Sequence, residues 1–342
     1  MNLTIALYNV EWMKRLFKID GTPKTSTAGS TADRKEGKRS EMLAAVIAAI
    51  DPDILCIVEG PDTKADLSKT ASQQLKVWAS QFGLSGYDAV NGFASPGQQE
   101  LCALYKKAKV KLSHKPEKAI SKHPFNQSFL VDTTDSLIKE QYKHYRPPFE
   151  IQVRKPGQGG AEVARIILAH TKSKGIFDNV DLARFEQLSL RNRQKLYAEC
   201  FSIRERCDQW LKANPSLKLF VMGDINDGFG LDYYEQRFRR SAVEILLGDV
   251  WKPEKILRHV LPKPKVGKYG WTPSSSSFTD KVTEDRVNVL IDHILVSQSV
   301  KLTEARVWNP YLRDAPQEVK DLKEELKKAS DHFPVVAKVT GV

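Results

Sequence analysis

The stretch Leu219-Phe220-Val221-Met222-Gly223-Asp224-Ile225-Asn226 decides how this chain reads. An apolar run of strand length leads into an acidic and an amide side chain, the pattern of a buried strand that delivers polar groups at its end. The design recurs along the 342 residues. Leu3 to Leu7 runs into Tyr8-Asn9-Val10-Glu11-Trp12, and Ile54 to Val58 runs into Glu59-Gly60. Ser330-Asp331-His332-Phe333-Pro334 stands just before the apolar run Val335 to Val339. Buried strands that all place Asp, Glu, Asn or His at one end describe an active site.

Those side chains restrict the chemistry. Oxygen ligands from Glu, Asp and Asn suit a hard cation such as Mg²⁺ or Mn²⁺, and no paired-Cys or His-Glu-x-x-His pattern argues for zinc. A hard metal with further carboxylates and imidazoles fits phosphate-ester hydrolysis, in which an activated water attacks and an acid/base pair handles the protons.

Charge points to the partner. The chain carries 53 Lys and Arg against 42 Asp and Glu, a formal +11. A hydrolase for a small neutral ester gains nothing from that excess, whereas a polyanion is drawn to it, and nucleic acid is the commonest polyanion. Between Asn9 and Glu59 the residues from about 14 to 38 hold Lys14, Arg15, Lys18, Lys24, Arg34, Lys35 and Lys38, interrupted by the Ser/Thr/Gly-rich stretch Thr22 to Thr31. Such a stretch buries little apolar surface, so the reading is a mobile basic insertion on the rim of the site. A second basic group, Lys172, Lys174, Arg184, Arg191, Arg193 and Lys195, runs into a long helix, and Lys172 and Lys174 are near enough to the site to meet a phosphate.

Taken together and in order, Asn9, Glu59, His170, Asp224 with Asn226, Asp292 and Asp331-His332 resemble the motif set of the endonuclease/exonuclease/phosphatase superfamily, whose founding fold is that of deoxyribonuclease I. Asp51-Pro52-Asp53-Ile54-Leu55, Arg146-Pro147-Pro148 and Leu290-Ile291-Asp292-His293-Ile294-Leu295 add to the match. His170-Thr171-Lys172-Ser173-Lys174 is similar to an element of bacterial nucleases of that superfamily. The resemblance covers residues 3 to 339. It implies a four-layer α/β/β/α sandwich, two mixed β-sheets face to face with helices outside and the site at one end of the sheets.

The resemblance also implies roles. Glu59 would be the principal metal ligand, with Asn9 and Asp331 completing or bordering the site. Asp224 and Asn226 would orient the attacking water and the scissile phosphate, with Asp224 taking the proton. His332, held by Asp292, would contact the phosphate or transfer a proton, and His170 would be a second imidazole there. Arg146 would clamp phosphate in bidentate fashion, assisted by Lys172 and Lys174. In deoxyribonuclease I a Glu pairs with the His at the place of His170; here Glu100 and Gln99 compete, and strand parity puts Gln99 on the matching face. Gly60-Pro61 also replaces the Arg-bearing turn that deoxyribonuclease I sends into the minor groove, so the basic insertion would have to supply the grip.

Motifs from residue 9 to residue 332 build one site, so the chain reads as a single domain over 1–342, with a rim excursion at about 248–287 rich in Pro, Lys and Ser. Helices are expected at about Arg39 to Ile50, Ala65 to Phe82, Asn179 to Ala213, Tyr233 to Leu247 and Pro316 to Ala329. Four cysteines, no charged-then-apolar leader and no span-length apolar run suit a cytoplasmic protein without a membrane anchor. The leading reading is a metal-dependent DNA endonuclease or nickase with little sequence preference. A phosphatase or phosphodiesterase for phosphoinositide, phospholipid or another small phosphate ester is the alternative, and a non-catalytic nucleic-acid binder is third.

Overall fold

The computed structural model describes the chain except for residues 64–68, 96–98, 118–122, 158, 177–179, 262–264, 268–269 and 280–283; of 265–267, 270 and 271 it describes the backbone alone. Two six-stranded sheets dominate. The first has the order β17 (Lys301–Val307), β18 (Val335–Thr340), β1 (Leu3–Asn9), β2 (Ile54–Gly60), β4 (Glu100–Lys106), β3 (Tyr87–Asn91). The second has the order β11 (Leu257–His259), β16 (Asp292–Ser297), β10 (Leu219–Asp224), β9 (Glu162–His170), β8 (Phe149–Arg154), β5 (Lys111–His114). A two-stranded ribbon, β6 (Ser128–Val131) with β7 (Glu140–Lys143), is separate. So is a four-stranded sheet of β12 (Lys265–Gly267), β13 (Gly270–Thr272), β15 (Arg286–Val289) and β14 (Ser276–Thr279).

Central strands are apolar on both faces because both faces are covered. Leu3, Ile5 and Leu7 meet Ile166, Leu168, Phe220, Met222, Ile294 and Val296 in a core between the sheets. The alternate residues Ala6, Tyr8, Leu55 and Ile57 pack under α1 (Thr31–Ile50) and α2 (Ala71–Gln81), against Leu43, Ile47 and Trp78. On the other side Ile167, Ala169 and Val221 pack under α3 (Leu182–Ala213), against Leu196, Tyr197 and Ile203. The short helices α5 (Gln317–Asp321) and α6 (Lys323–Ala329) join the first outer layer through Val319 and Leu326, and α4 (Ala242–Leu247) joins the second through Val243 and Leu246. These are the four expected layers.

Each sheet is built around one parallel pair. β1 and β2 run parallel, and so do β9 and β10, with antiparallel neighbours on either side. Both pairs end on the same side of the sandwich, which gathers Asn9, Glu59, His170 and Asp224. β16 and β18 run the other way and contribute their starts, so Asp292 pairs across from Asp224.

Several boundaries differ from the sequence reading. α1 begins at Thr31, not Arg39, because Ser30 and Asp33 form a reciprocal capping box ahead of a polar first turn. The supposedly mobile insertion is packed: Met13 and Leu16 are fully buried, Phe17 bridges to Pro23, and the Lys24 amide donates to the Leu16 carbonyl at 2.8 Å. A Cβ on Gly37 would lie 2.0 Å from the Thr25 carbonyl carbon, so glycine there lets the segment close onto α1. Composition underestimated the anchoring by three apolar side chains. α2 starts at Ala71 behind a Thr70–Gln73 box, and the expected turns at 64–68 lie outside the described residues. The Tyr233 to Leu247 helix is interrupted, with a 3₁₀ turn at Glu235–Phe238, a left-handed Arg239 and then α4. Parts of the rim excursion, at 262–264, 268–269 and 280–283, also lie outside the description. All four cysteines are free and buried, and among the described residues no helix is long and apolar enough to cross a membrane.

One glycine sets the geometry of the site. Gly223 lies opposite Ala169 in the β9–β10 ladder, and a Cβ on it would sit 1.8 Å from the Ala169 carbonyl oxygen. Only that close approach lets Asp224 pair with His170 one residue later. Gly223→Ala should therefore destabilise the fold by at least about 3 kcal/mol, read as a lowered midpoint in urea unfolding.

Candidate active site

Strand parity delivers most of the site. Asn9 follows Leu3, Ile5 and Leu7; His170 follows Ile166 and Leu168; Asp224 follows Phe220 and Met222; Asp292 precedes Ile294 and Val296. Each therefore points between the sheets, where the apolar core gives way to polar groups. Glu59 does not obey parity. It follows Val58 and belongs by alternation to the helix side, but the β2–β4 ladder is irregular between Ile57 and Gly60 and Glu59 has φ +60°. Among the described residues nine non-glycine residues have positive φ, and Glu11, Trp12, Glu59 and Asn226 all lie at the site. Backbone strain of this kind is characteristic of functional sites.

The side chains converge. The Asn9 Nδ2 donates to Asp224 Oδ2 at 3.1 Å and reaches Glu59 Oε1 at 3.4 Å. Glu59 Oε2 accepts the Trp12 amide at 2.8 Å. His170 Nε2 lies 3.8 Å from Asp224 Oδ2 and 4.0 Å from Glu59 Oε1, and His332 Nε2 lies 4.0 Å from Asp224 Oδ2. His332 Nδ1 bonds Asp292 Oδ2 at 2.7 Å. Asp224, Asp292 and His332 present ligand atoms within 4.8 Å of one another.

Charged neighbours separate the two imidazoles. Burial disfavours charge on both, but at His332 the Asp292 carboxylate overrides it, with Asp224 and Asp331 adding, and lifts the ring to about 10. At His170 burial acts together with Arg146 and His332, and holds the ring well below the usual range. Burial, reinforced by Asp292, raises the Asp224 carboxyl to about 7. The site thus holds one imidazolium, one neutral imidazole and a carboxylate poised near neutrality, environments suited to acid and base work.

The donor set fits a hard cation. Glu59 and Asp224 are both withdrawn from water and both face the space crossed by the Asn9 amide, and Asp292 Oδ1 is buried without a hydrogen-bond partner. Oxygen donors with excess negative charge are what Mg²⁺ or Mn²⁺ takes. Glu59, Asp224 and Asp292 are the carboxylates that could hold such an ion. Asn9 turns its nitrogen toward the carboxylates while its oxygen accepts the Glu11 amide at 3.1 Å. Asp331 borders the space, 3.9 Å from His332 Nε2 and largely exposed.

Other expected residues are placed differently. Glu100 does not pair with His170. Its Oε1 accepts the amides of Ser95 at 3.2 Å and Thr63 at 3.5 Å, its pKa is lifted by burial to about 7, and His170 Nδ1 has no hydrogen-bond partner. The β2–β4 register sets Glu100 beside Gly60, and the neighbouring Gln99 reaches Arg146 instead. Arg146 also donates to the carbonyls of His170 and Thr171, both at 3.3 Å, so it fixes the backbone that presents His170. Asn226 donates to the Thr171 carbonyl at 3.0 Å and its amide caps Asp224 Oδ1 at 3.0 Å. Lys172 folds onto the Ser173 carbonyl at 2.8 Å, and burial lowers its pKa.

Lys174 is not a phosphate contact. Its ammonium bonds Asp227 at 2.7 Å and Glu235 at 2.9 Å, two carboxylates that are themselves buried. On the other side of Asp227, two imidazoles form a directed chain. The Leu261 amide donates to His259 Nδ1 at 3.1 Å, His259 Nε2 meets His293 Nδ1 at 3.0 Å, and His293 Nε2 meets the Asp227 carbonyl at 2.8 Å. This assigns one neutral tautomer to each ring.

Four supports escaped the sequence reading. Ser275 accepts the Ile291 and Asp292 amides at its hydroxyl, and its carbonyl accepts the Phe333 amide at 2.7 Å, which ties Asp292 to the His332 segment. Ser330 donates to the Asn9 carbonyl at 2.7 Å and accepts the His332 amide. Thr171 donates to the Ile225 carbonyl at 2.6 Å. Arg39 donates to the Ala329 carbonyl at 2.9 Å and to the carbonyls of Val10 and Glu11. Their partners are distant in sequence, and a Ser run or a basic cluster gave no sign of them.

Solved structures share this architecture. TDP2 from C. elegans matches with a TM-score of 0.51 at 13% identity, over 99% of this chain and 75% of that one. An endonuclease/exonuclease/phosphatase from Bacteroides vulgatus matches with a TM-score of 0.50 at 15% identity, over 99% and 98% of the two chains. The chain has the endonuclease/exonuclease/phosphatase fold. No family model matches the sequence, and no curated protein is significantly similar to it.

Two consequences are measurable. The folded His332 has a pKa above the free imidazole value near 6.5, so its ion pair contributes fully below about pH 6.5 and is lost as pH rises through about 10. Urea midpoints of the wild type should fall over that interval relative to those of His332→Gln. Lys174→Met leaves two buried carboxylates without their cation and should cost about 3–5 kcal/mol, measured by the same unfolding.

Proposed function

We propose that this chain is a divalent-metal-dependent phosphodiester hydrolase acting on nucleic acid, as a DNA endonuclease or nickase of little sequence preference. One observation carries the reading: Asn9, Glu59, His170, Asp224 and His332 bring their functional atoms into one buried space at the shared end of the two sheets. The net charge of +11 favours a polyanion over a small ester.

When bound by Glu59, the divalent ion supplies charge neutralisation at the phosphate. The chain does the rest. Asp224, poised near pH 7, takes a proton from the attacking water. His332, kept charged and oriented by Asp292, offers its free Nε2–H to a phosphate oxygen. Neutral His170 faces the same space from the adjacent strand and orients the phosphate or the leaving oxygen. Asn9 holds Glu59 and Asp224 within reach of one another, Arg146 and Asn226 fix the His170–Thr171 backbone, and Asp331 borders the ion's place at the open side.

Purified protein with supercoiled plasmid and Mg²⁺ or Mn²⁺ should yield nicked circles, and a chelator should abolish the reaction. Glu59→Gln and Asp224→Asn should each lower kcat/KM by at least about a thousandfold with the fold retained. Failure to cut plasmid, with metal-dependent hydrolysis of a small phosphate ester, would move the assignment to a phosphatase or phosphodiesterase for such esters.

A further inference from the structure

We infer that a basic groove beside the active site holds a second phosphate of the nucleic-acid strand whose scissile phosphate enters the site. This rests on the nuclease reading above and adds where that substrate is gripped. The groove has a volume of about 340 Å³, and its lining includes Lys14, Arg15, Lys18 and Lys24 together with Phe17, Asp62 and Gln74. It adjoins the catalytic carboxylate through the chain itself, because the segment that builds it leaves from Trp12, whose amide is bonded to Glu59 at 2.8 Å.

Among the described lining residues Lys14, Arg15 and Lys18 outnumber the carboxylate of Asp62, while Lys24 is taken up by Asp33. A second depression shares Lys18 and Lys24 but faces Asp20 and Asp33, where charges balance and Lys24 is already paired to Asp33 at 3.0 Å. The Lys14 ammonium lies 4.9 Å from the Trp12 ring centroid and the Arg15 guanidinium 5.7 Å from it, so the indole gathers two cations at the groove's mouth. The fold also anchors the backbone that carries the cations. Met13 and Leu16 are fully buried, and the Phe17–Pro23 bridge closes the segment. Cations carried on a segment that is already folded give affinity for a phosphodiester backbone without the cost of ordering that segment.

The test compares two substrates and one binding reaction in the full-length chain. Arg15→Ala with Lys18→Ala should weaken binding of a labelled oligonucleotide to the Glu59→Gln protein about tenfold at low salt. The slope of log affinity against log salt should fall by about one to two. In the active protein the loss in kcat/KM on the oligonucleotide should exceed that on bis(p-nitrophenyl) phosphate, which has a single phosphate, by about tenfold. The charge-keeping pair Arg15→Lys with Lys18→Arg should retain most of the affinity. Equal losses on both substrates, or an unchanged salt slope, would overturn the groove while leaving the nuclease reading intact. A wild type that hydrolyses the small diester yet neither binds nor cuts oligonucleotide would overturn the nuclease reading itself.

Discussion

Glu59, Asp224 and Asp292 are three carboxylates withdrawn from water into one small volume, and the surroundings are arranged to make that tolerable. Burying a carboxylate without compensation costs several kcal/mol. Here the compensation comes piecemeal: the Asn9 amide between Glu59 and Asp224, the Trp12 N–H on Glu59, the Asn226 N–H on Asp224, and the His332 imidazolium on Asp292. It is incomplete, since Asp292 Oδ1 has no partner and burial still raises the Asp224 carboxyl to about 7. That shortfall is the electrostatic demand a hard cation answers.

The fold was legible because its signal is periodic. Asn9, His170, Asp224 and Asp292 share parity with the apolar residues of their own strands, so alternation alone directs them between the sheets. The positive-φ turn at Glu59 breaks that parity, so alternation does not direct it there, and its place at the end of an apolar run was the signal. Lys174 misled for a different reason. Proximity to His170 in sequence suggested a phosphate contact, whereas Asp227 and Glu235, more than fifty residues away, claim its ammonium. At Gln99 and Glu100 alternation held: Gln99 shares parity with Leu101 and Ala103 and reaches Arg146, while Glu100 lies on the other face beside Gly60. The basic insertion was misjudged because composition averages over Met13, Leu16 and Phe17, the residues that pin it down.

Neither sheet makes a site alone. Glu59 and Asn9 come from one parallel pair, His170 and Asp224 from the other, and the distances between them are set by the apolar core that the two sheets share. Beneath them a further layer, Lys174 with Asp227 and Glu235 and the His259–His293 chain, holds the loop after Asp224 without touching the open space. The catalytic arrangement is therefore coupled to the closing of the whole sandwich.

The left-handed backbones at Glu11, Trp12, Glu59 and Asn226 carry a longer-term implication. Each such residue holds about 1–3 kcal/mol of strain that glycine would relieve. A glycine at Glu59 would relieve its strain and would remove the carboxylate with it. At Glu59, therefore, the stability of the fold and the chemistry of the site pull in opposite directions.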